Sequence, residues 1–333
     1  MLTLLERIPS DIRKQMQDVP AKMTCRPTDF PTDKINAMVL EISNIGYSKT
    51  SEIDDEMLQI LFKWGFCRDP NAESVLYLKT DYYCIVIVLP DETSDGYFHF
   101  ASYHYTVSNF TNGKITATIG TGDDATTICF PCLEAAFQVM KAVYANDMDA
   151  ILKIFQAETP GKCKEAGGDI KFSKEGLAEW DQAAPSVMEA LLVEKIKQNV
   201  NVEHFFQSIE RFANVFEIPL TNIKFPEANI KGGKWGTGLN VGGTLEAIIA
   251  GNPYPTESLF EHCIGKALML TVYAEDINPQ SPKKARRSPT QPSEKPEDKA
   301  PDDKTPDDKA PDDECDPIDV REGSFVMVHS PLQ

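Results

Sequence analysis

The alternation of apolar and polar residues divides the chain into three stretches of different character. From residue 1 to about 93, a polar helix candidate, "LLERIPSDIRKQMQDV", leads into a proline- and aspartate-rich turn signal, "RPTDFPTD". A helically periodic stretch, "DDEMLQILFKWGF", comes next. "SVLYLKTDYYCIVIVLP" then alternates and runs apolar and β-branched, which predicts two strands joined at Lys79 to Asp81. From about 94 to 276, "GKITATIG" and "ATTICF" predict a hairpin around "TGDD", and a helix follows from about Pro131 to Tyr144. "DMDAILKIFQAETP" predicts a helix that stops before Pro160. "SVMEALLVEKIKQN" predicts an amphipathic helix, with Val187, Met188, Leu191, Leu192 and Ile196 facing a core and Pro185 in its first turn.

Beyond about 277 the pattern disappears. The segment is rich in Pro, Lys and Asp, repeats a K-x-P-D-D unit, and has too few large apolar residues to offset the entropy of ordering; disorder is the expectation for 277–333. A basic cluster, "PKKARR" at 282–287, has the composition of a nuclear-localisation signal or of a solvating linker patch. The final "GSFVMVHSP" is an apolar strand candidate.

Composition narrows the function classes. With 41% hydrophobic residues, three Trp and seventeen Phe, the 333-residue chain can build a substantial core. A net charge of −18 argues against broad attraction to nucleic-acid backbones, so any nucleic acid has to be met locally. The longest apolar run is too short to span a bilayer and no signal core opens the chain, so no membrane association is expected and an intracellular location, nuclear and/or cytoplasmic, is. The single CxxC, Cys129 and Cys132, lacks a second pair at zinc spacing, and the five His residues show no ligand spacing; reduced thiols and no metal or cofactor are expected.

The chemistry concentrates on "CFPCLEAAFQVMKAVYAND", residues 129–147. Glu134, Gln138 and Lys141 share one face of a helix that is apolar nearly all round. Burying such charges costs several kcal/mol per ion unless they are paired or functional. The stripe is therefore either a polar seam, with Gln138 bridging the two charges, or the wall of a site.

Its companions come in a fixed order. Ser108-Asn109-Phe110 precede the hairpin; Gly167, Gly168 and Asp169 form a turn candidate; Trp180-Asp181 lead into the amphipathic helix; and Trp235-Gly236 with Gly238 stand in "GGKWGTGL", before "IGKALM". As an ordered set, over about 97–272, these motifs resemble the NADAR family. The resemblance implies an α+β, predominantly helical, YbiA-like fold with a small β-hairpin or sheet, a catalytic domain over 94–276 and a separate N-terminal extension over 1–93. It implies an N-glycosidase that removes ADP-ribose from the guanine amino group of modified DNA or RNA. Related alternatives are cleavage of phosphorylated riboflavin-pathway intermediates and non-catalytic ADP-ribose binding. On this reading Glu134 is the acid/base and Lys141 a direct participant, able to hold the anomeric oxygen or trap C1 as an imine. Ser108, Asn109, Phe110, Gln138, Gly168, Asp169, Trp180, Asp181, Trp235, Gly236 and Gly238 form the pocket, and Lys171, Lys231 and Lys234 offer cations for a diphosphate.

Overall fold

The computed structural model describes residues 2–18, 23–25, 32–45, 55–81, 83–102, 108–122, 125–230, 235–251 and 259–271. The tail, its basic cluster and its final strand candidate, together with Lys231 and Lys234, lie outside the described residues.

Four helices open the fold: α1 (Leu2–Leu5), α2 (Ser10–Asp18), α3 (Thr32–Ser43) and α4 (Asp55–Lys63). Strands β1 (Cys67–Asp69), β2 (Ala72–Lys79), β3 (Tyr83–Val88) and β4 (Tyr97–Ser102) form an antiparallel meander. The continuous apolar run places β3 at the centre of the sheet, where both of its faces are covered. Ile85 pairs with Phe100 and Ile87 with Phe98, and these four side chains point into the main core; the alternate residues Cys84, Val86 and Ala101 face a second, smaller core. A short strand, β7 (Ile223–Lys224), adds to β4 in parallel and completes the order β1-β2-β3-β4-β7.

A parallel neighbour requires a long crossover, and that crossover carries the chemistry. It holds the hairpin β5 (Ile115–Ile119) and β6 (Thr126–Phe130), which pair in antiparallel register, and then α5 (Leu133–Ala145), α6 (Met148–Phe155), α7 (Pro160–Gly168), α8 (Lys174–Gln198) and α9 (Val200–Val215). After β7 come α10 (Val241–Ile249), which covers the second core, and α11 (Leu259–Leu270), which packs on α8. The elements before residue 93 join the same compact unit, Met1–Lys283, with α3 against α9 and α1 against α5.

Two local expectations are corrected. Pro185 does not open a helix: Ser173 caps α8 twelve residues earlier, its hydroxyl accepting from Gly176 N, and Pro185 lies in the interior. Packing of the long helix against α5 and α11 offsets the hydrogen bond that proline removes, and Cys263 Sγ donates to the Pro185 carbonyl at 3.4 Å. The glycines of "KEAGGDI" are not a free-standing turn either, because Thr159 caps α7 with Pro160 at its first position and the helix runs through Gly168.

The apolar face of α8 also hides a lysine that its periodicity did not single out. Lys195 is fully enclosed (0% exposed) and donates to Ser108 O at 2.9 Å and Thr111 Oγ1 at 3.1 Å. Its stem crosses so close to Gly113 that a Cβ there would lie 2.5 Å from Lys195 Cε. Gly113→Ala is therefore expected to lower stability by about 1–3 kcal/mol, the usual cost of overpacking. Urea denaturation reads this directly, and an unchanged midpoint would show that the buried stem yields freely.

Candidate active site

Glu134 stands in the first turn of α5 and is 4% exposed. Asn109 clamps it twice: its backbone carbonyl accepts from Glu134 N at 3.0 Å, occupying one of the orphan donors of the helix start, and its Nδ2 donates to Glu134 Oε2 at 3.0 Å. Gln138, one turn on, donates from Nε2 to Oε1 at 2.8 Å. Both carboxyl oxygens are thus held by amides, and the positive end of the helix adds to the stabilisation of a negative charge there. Burial works against that charge and is the larger effect, so Glu134 titrates above the ordinary glutamate range despite the amides and the charges of Lys164 and Lys141.

The two amides spend their donors on Glu134 and leave their oxygens, Asn109 Oδ1 and Gln138 Oε1, buried without a partner. An unpaired buried acceptor costs about 1–3 kcal/mol. Both acceptors sit enclosed beside one carboxyl. Gly167 closes this arrangement from α7, since a Cβ on it would collide with the Gln138 amide.

Lys141 does not reach Glu134 through Gln138. Its Nζ donates to Gly167 O at 2.6 Å and lies 5.9 Å from the Phe172 ring centre. Burial lowers its pKa, while Glu134 and Asp181 oppose that change. Trp180 is buried and Trp235 partly buried, and both pack on Phe137 of the same helix, with ring centres 5.2 and 5.5 Å away. The remaining predicted residues are spread around this centre. Ser108 is buried and Phe110 partly exposed; Gly236 is buried; Gly238 has φ +77°, a conformation for which glycine is suited. Gly168 is exposed, as is Asp169, whose carboxylate accepts from Lys153 Nζ at 3.2 Å.

Two residues that the sequence reading did not name belong to the centre. Glu227 follows β7, where Ser102 N donates to Pro226 O and Ala228 N to Ser102 O, both at 3.3 Å, so the end of the parallel pairing fixes its backbone. Burial of its carboxyl and then the charge of Glu134 push its pKa up to about 8, with Lys164 pulling the other way. Lys164, on the exposed side of α7, lies over the Phe110 ring at 5.7 Å and acts on both carboxyls. "KFPEAN" and "GKCKEAGG" offer no periodicity or spacing that separates these two from ordinary surface charges.

A groove of about 1080 Å³ lies elsewhere, lined by His99, Lys224, Ile248, His262 and Lys266 among others, and includes none of the groups around Glu134. Its lining does hold two glutamates, Glu189 and Glu261, with Lys266 Nζ 3.7 Å from the Glu189 carboxylate, but none of the unpartnered buried amide oxygens found beside Glu134.

Glu227 also ties stability to pH. Its folded pKa of about 8 exceeds the ordinary 4.5, so its contribution is complete below about 4.5 and is lost as pH rises toward about 8. Glu227→Gln should flatten that decline, so that the variant gains on the parent in thermal melts as pH rises across this range. Parallel pH profiles would show that the Glu227 carboxyl is not dehydrated.

No curated protein matches the chain. Residues 97–211, the stretch that holds Asn109, Glu134, Gln138, Lys141, Lys164 and Trp180, match the family model of the NADAR domain, and this match supports membership of the NADAR family.

Proposed function

We propose that the chain is an N-glycosidase that removes ADP-ribose from the guanine amino group of modified nucleic acid. The observation that carries this reading is the buried Glu134 carboxyl, held through both oxygens beside a second carboxyl, Glu227, that also favours its protonated form. The NADAR match supports N-glycosidase-type hydrolysis, and the choice of ADP-ribosyl guanine rests on the motif order described above.

Cleavage of a ribosyl–amine bond needs a proton on the leaving nitrogen and a nucleophile at C1. A carboxylic acid whose pKa is raised supplies the proton near neutral pH. Glu134 gives its proton to the amine as the C1–N bond breaks; the carboxylate left behind is stabilised by Asn109, Gln138 and the helix terminus, and takes a proton from the water that adds to C1. The unpaired oxygens of Asn109 and Gln138 accept from ribose hydroxyls or the amine, and Phe137, Trp180 and Trp235 offer an aromatic wall for the base. For a route through an imine, Lys141 is held on the Gly167 carbonyl, whereas Lys164 is exposed and near both carboxyls.

Incubation with a guanine-ADP-ribosylated oligonucleotide should release free ADP-ribose. Glu134→Gln, which keeps the shape of the side chain, should slow that release by about 10²–10⁴-fold, the usual worth of a positioned acid/base, with ADP-ribose binding by calorimetry retained. Binding without release by the parent protein would reassign it as an ADP-ribose reader. Release from a small ribosyl phosphate but not from the oligonucleotide would move the substrate to the metabolite class. Borohydride trapping during turnover tests the imine: an adduct lost in Lys164→Met but kept in Lys141→Met would name Lys164.

A further inference from the structure

The buried Lys195 has no carboxylate partner among the described residues; the ionisable groups whose charges act on it are two thiols, Cys132 and Cys25. Cys132 is the N-cap of α5, two positions before Glu134, and is fully enclosed. Its Sγ donates to Met23 Sδ at 3.5 Å rather than turning to Cys129, its CxxC neighbour, which lies on β6. Cys25 is partly exposed, and its Sγ donates to the carbonyl of Pro131, the residue before Cys132, at 3.7 Å; with Cys132 Sγ on Met23, two residues before Cys25, the two thiols share one small cluster. Thr24 N donates to Glu158 O at 2.8 Å and fixes the segment between the two sulfur-bearing residues. A third thiol, Cys163, is close enough to act on both and donates to Ile154 O at 3.4 Å.

The two thiols are unequal. The neighbouring Cys132 thiol and, against the cost of burial, the charge of Lys195 hold the Cys25 thiol below its ordinary value, whereas the neighbouring Cys25 thiol and burial hold Cys132 protonated. A thiolate-prone, partly exposed thiol in one cluster with a buried thiol is the arrangement of an attacking and a resolving cysteine.

We propose that Cys25 and Cys132 form a reversible dithiol–disulfide site that a hydroperoxide closes, tying residues 23–25 to the N-cap of the helix that carries Glu134. The Cys25 thiolate attacks the terminal peroxide oxygen; the O–O bond breaks, an alcohol leaves with a proton, and Cys25 becomes a sulfenic acid. The Cys132 sulfur then attacks Cys25 sulfur, the S–O bond breaks, and the hydroxide departs as water with the proton of Cys132. Two thiols are oxidised and one hydroperoxide is reduced. The bond forms at an S–S separation of about 2.05 Å, between side chains that already meet at residues 23–25 and 131–132. This inference stands on the thiol cluster and does not depend on the glycosidase reading.

The test treats the full-length protein with hydrogen peroxide, blocks free thiols with N-ethylmaleimide, and maps the peptides with fragmentation. The expected result is a loss of two hydrogens in intact mass and a Cys25–Cys132 crosslink, reversed by dithiothreitol, kept in Cys129→Ser and absent in Cys25→Ser at an unchanged melting temperature. A Cys132 that stays free or joins any other cysteine under the same treatment overturns the proposal, and a crosslink that persists in Cys25→Ser does so as well.

Discussion

A glutamate kept out of water at the start of an apolar helix sets the terms for everything near it. α5 is buried along nearly its whole length, so Glu134 cannot turn outward to be solvated, and its charge or proton has to be accommodated by neighbouring groups. Those neighbours come from far apart in the chain: Asn109 from the approach to the hairpin, Gln138 from the helix itself, Gly167 and Lys164 from α7, and Glu227 from the end of the parallel strand pair. Without Asn109 the carboxyl loses a donor and the helix start loses the acceptor for the Glu134 amide. The site and the local fold are therefore the same set of hydrogen bonds.

The crossover between β4 and β7 explains how this set is assembled. One antiparallel meander would bring only sequence neighbours together, whereas the parallel pairing of β4 with β7 returns the chain to the sheet after five helices and delivers Glu227 to the glutamate at the head of the first of them. Electrostatics follow from the geometry. Two carboxyls near each other cannot both ionise cheaply, so the site favours the protonated form: Glu227 is pushed up to about 8 and Glu134 is raised above its ordinary value, the direction that acid-assisted departure of an amine requires. The net charge of −18 is compatible with a nucleic-acid substrate only through local cations, and Lys164 at the exposed side is one of them.

Much of this is legible in the sequence where a period exists. β2, β3 and the β5–β6 hairpin follow from alternation and β-branching, and α5 and α6 follow from their apolar faces, because burial acts on those patterns directly. The stripe of Glu134, Gln138 and Lys141 was likewise visible, but its internal wiring was not: helical spacing places side chains on a face without saying whether Lys141 turns to Gln138 or to a carbonyl on α7. Pro185 misled because a proline marks a helix start by local preference, while the caps and packing that set α8 lie a dozen residues away. Glu227 and Lys164 were silent because loop charges and exposed helix charges acquire meaning only when a tertiary contact brings them to a carboxyl. The cluster that brings Cys132 beside residues 23–25, across more than a hundred residues, was hidden by the nearer CxxC partner in the same way.

Dehydration outweighs two amide donors and keeps a proton on Glu134 above the pH at which a glutamate normally ionises. Infrared difference spectroscopy of the parent protein against Glu134→Gln, recorded across a pH titration, isolates the carbonyl stretch of that one carboxylic acid. A protonated-carboxyl band that is absent in the variant and persists well above the ordinary glutamate value of 4.5 is the predicted result. A band that vanishes at or below that value would show an ordinary ionised carboxylate at Glu134 and contradict the account.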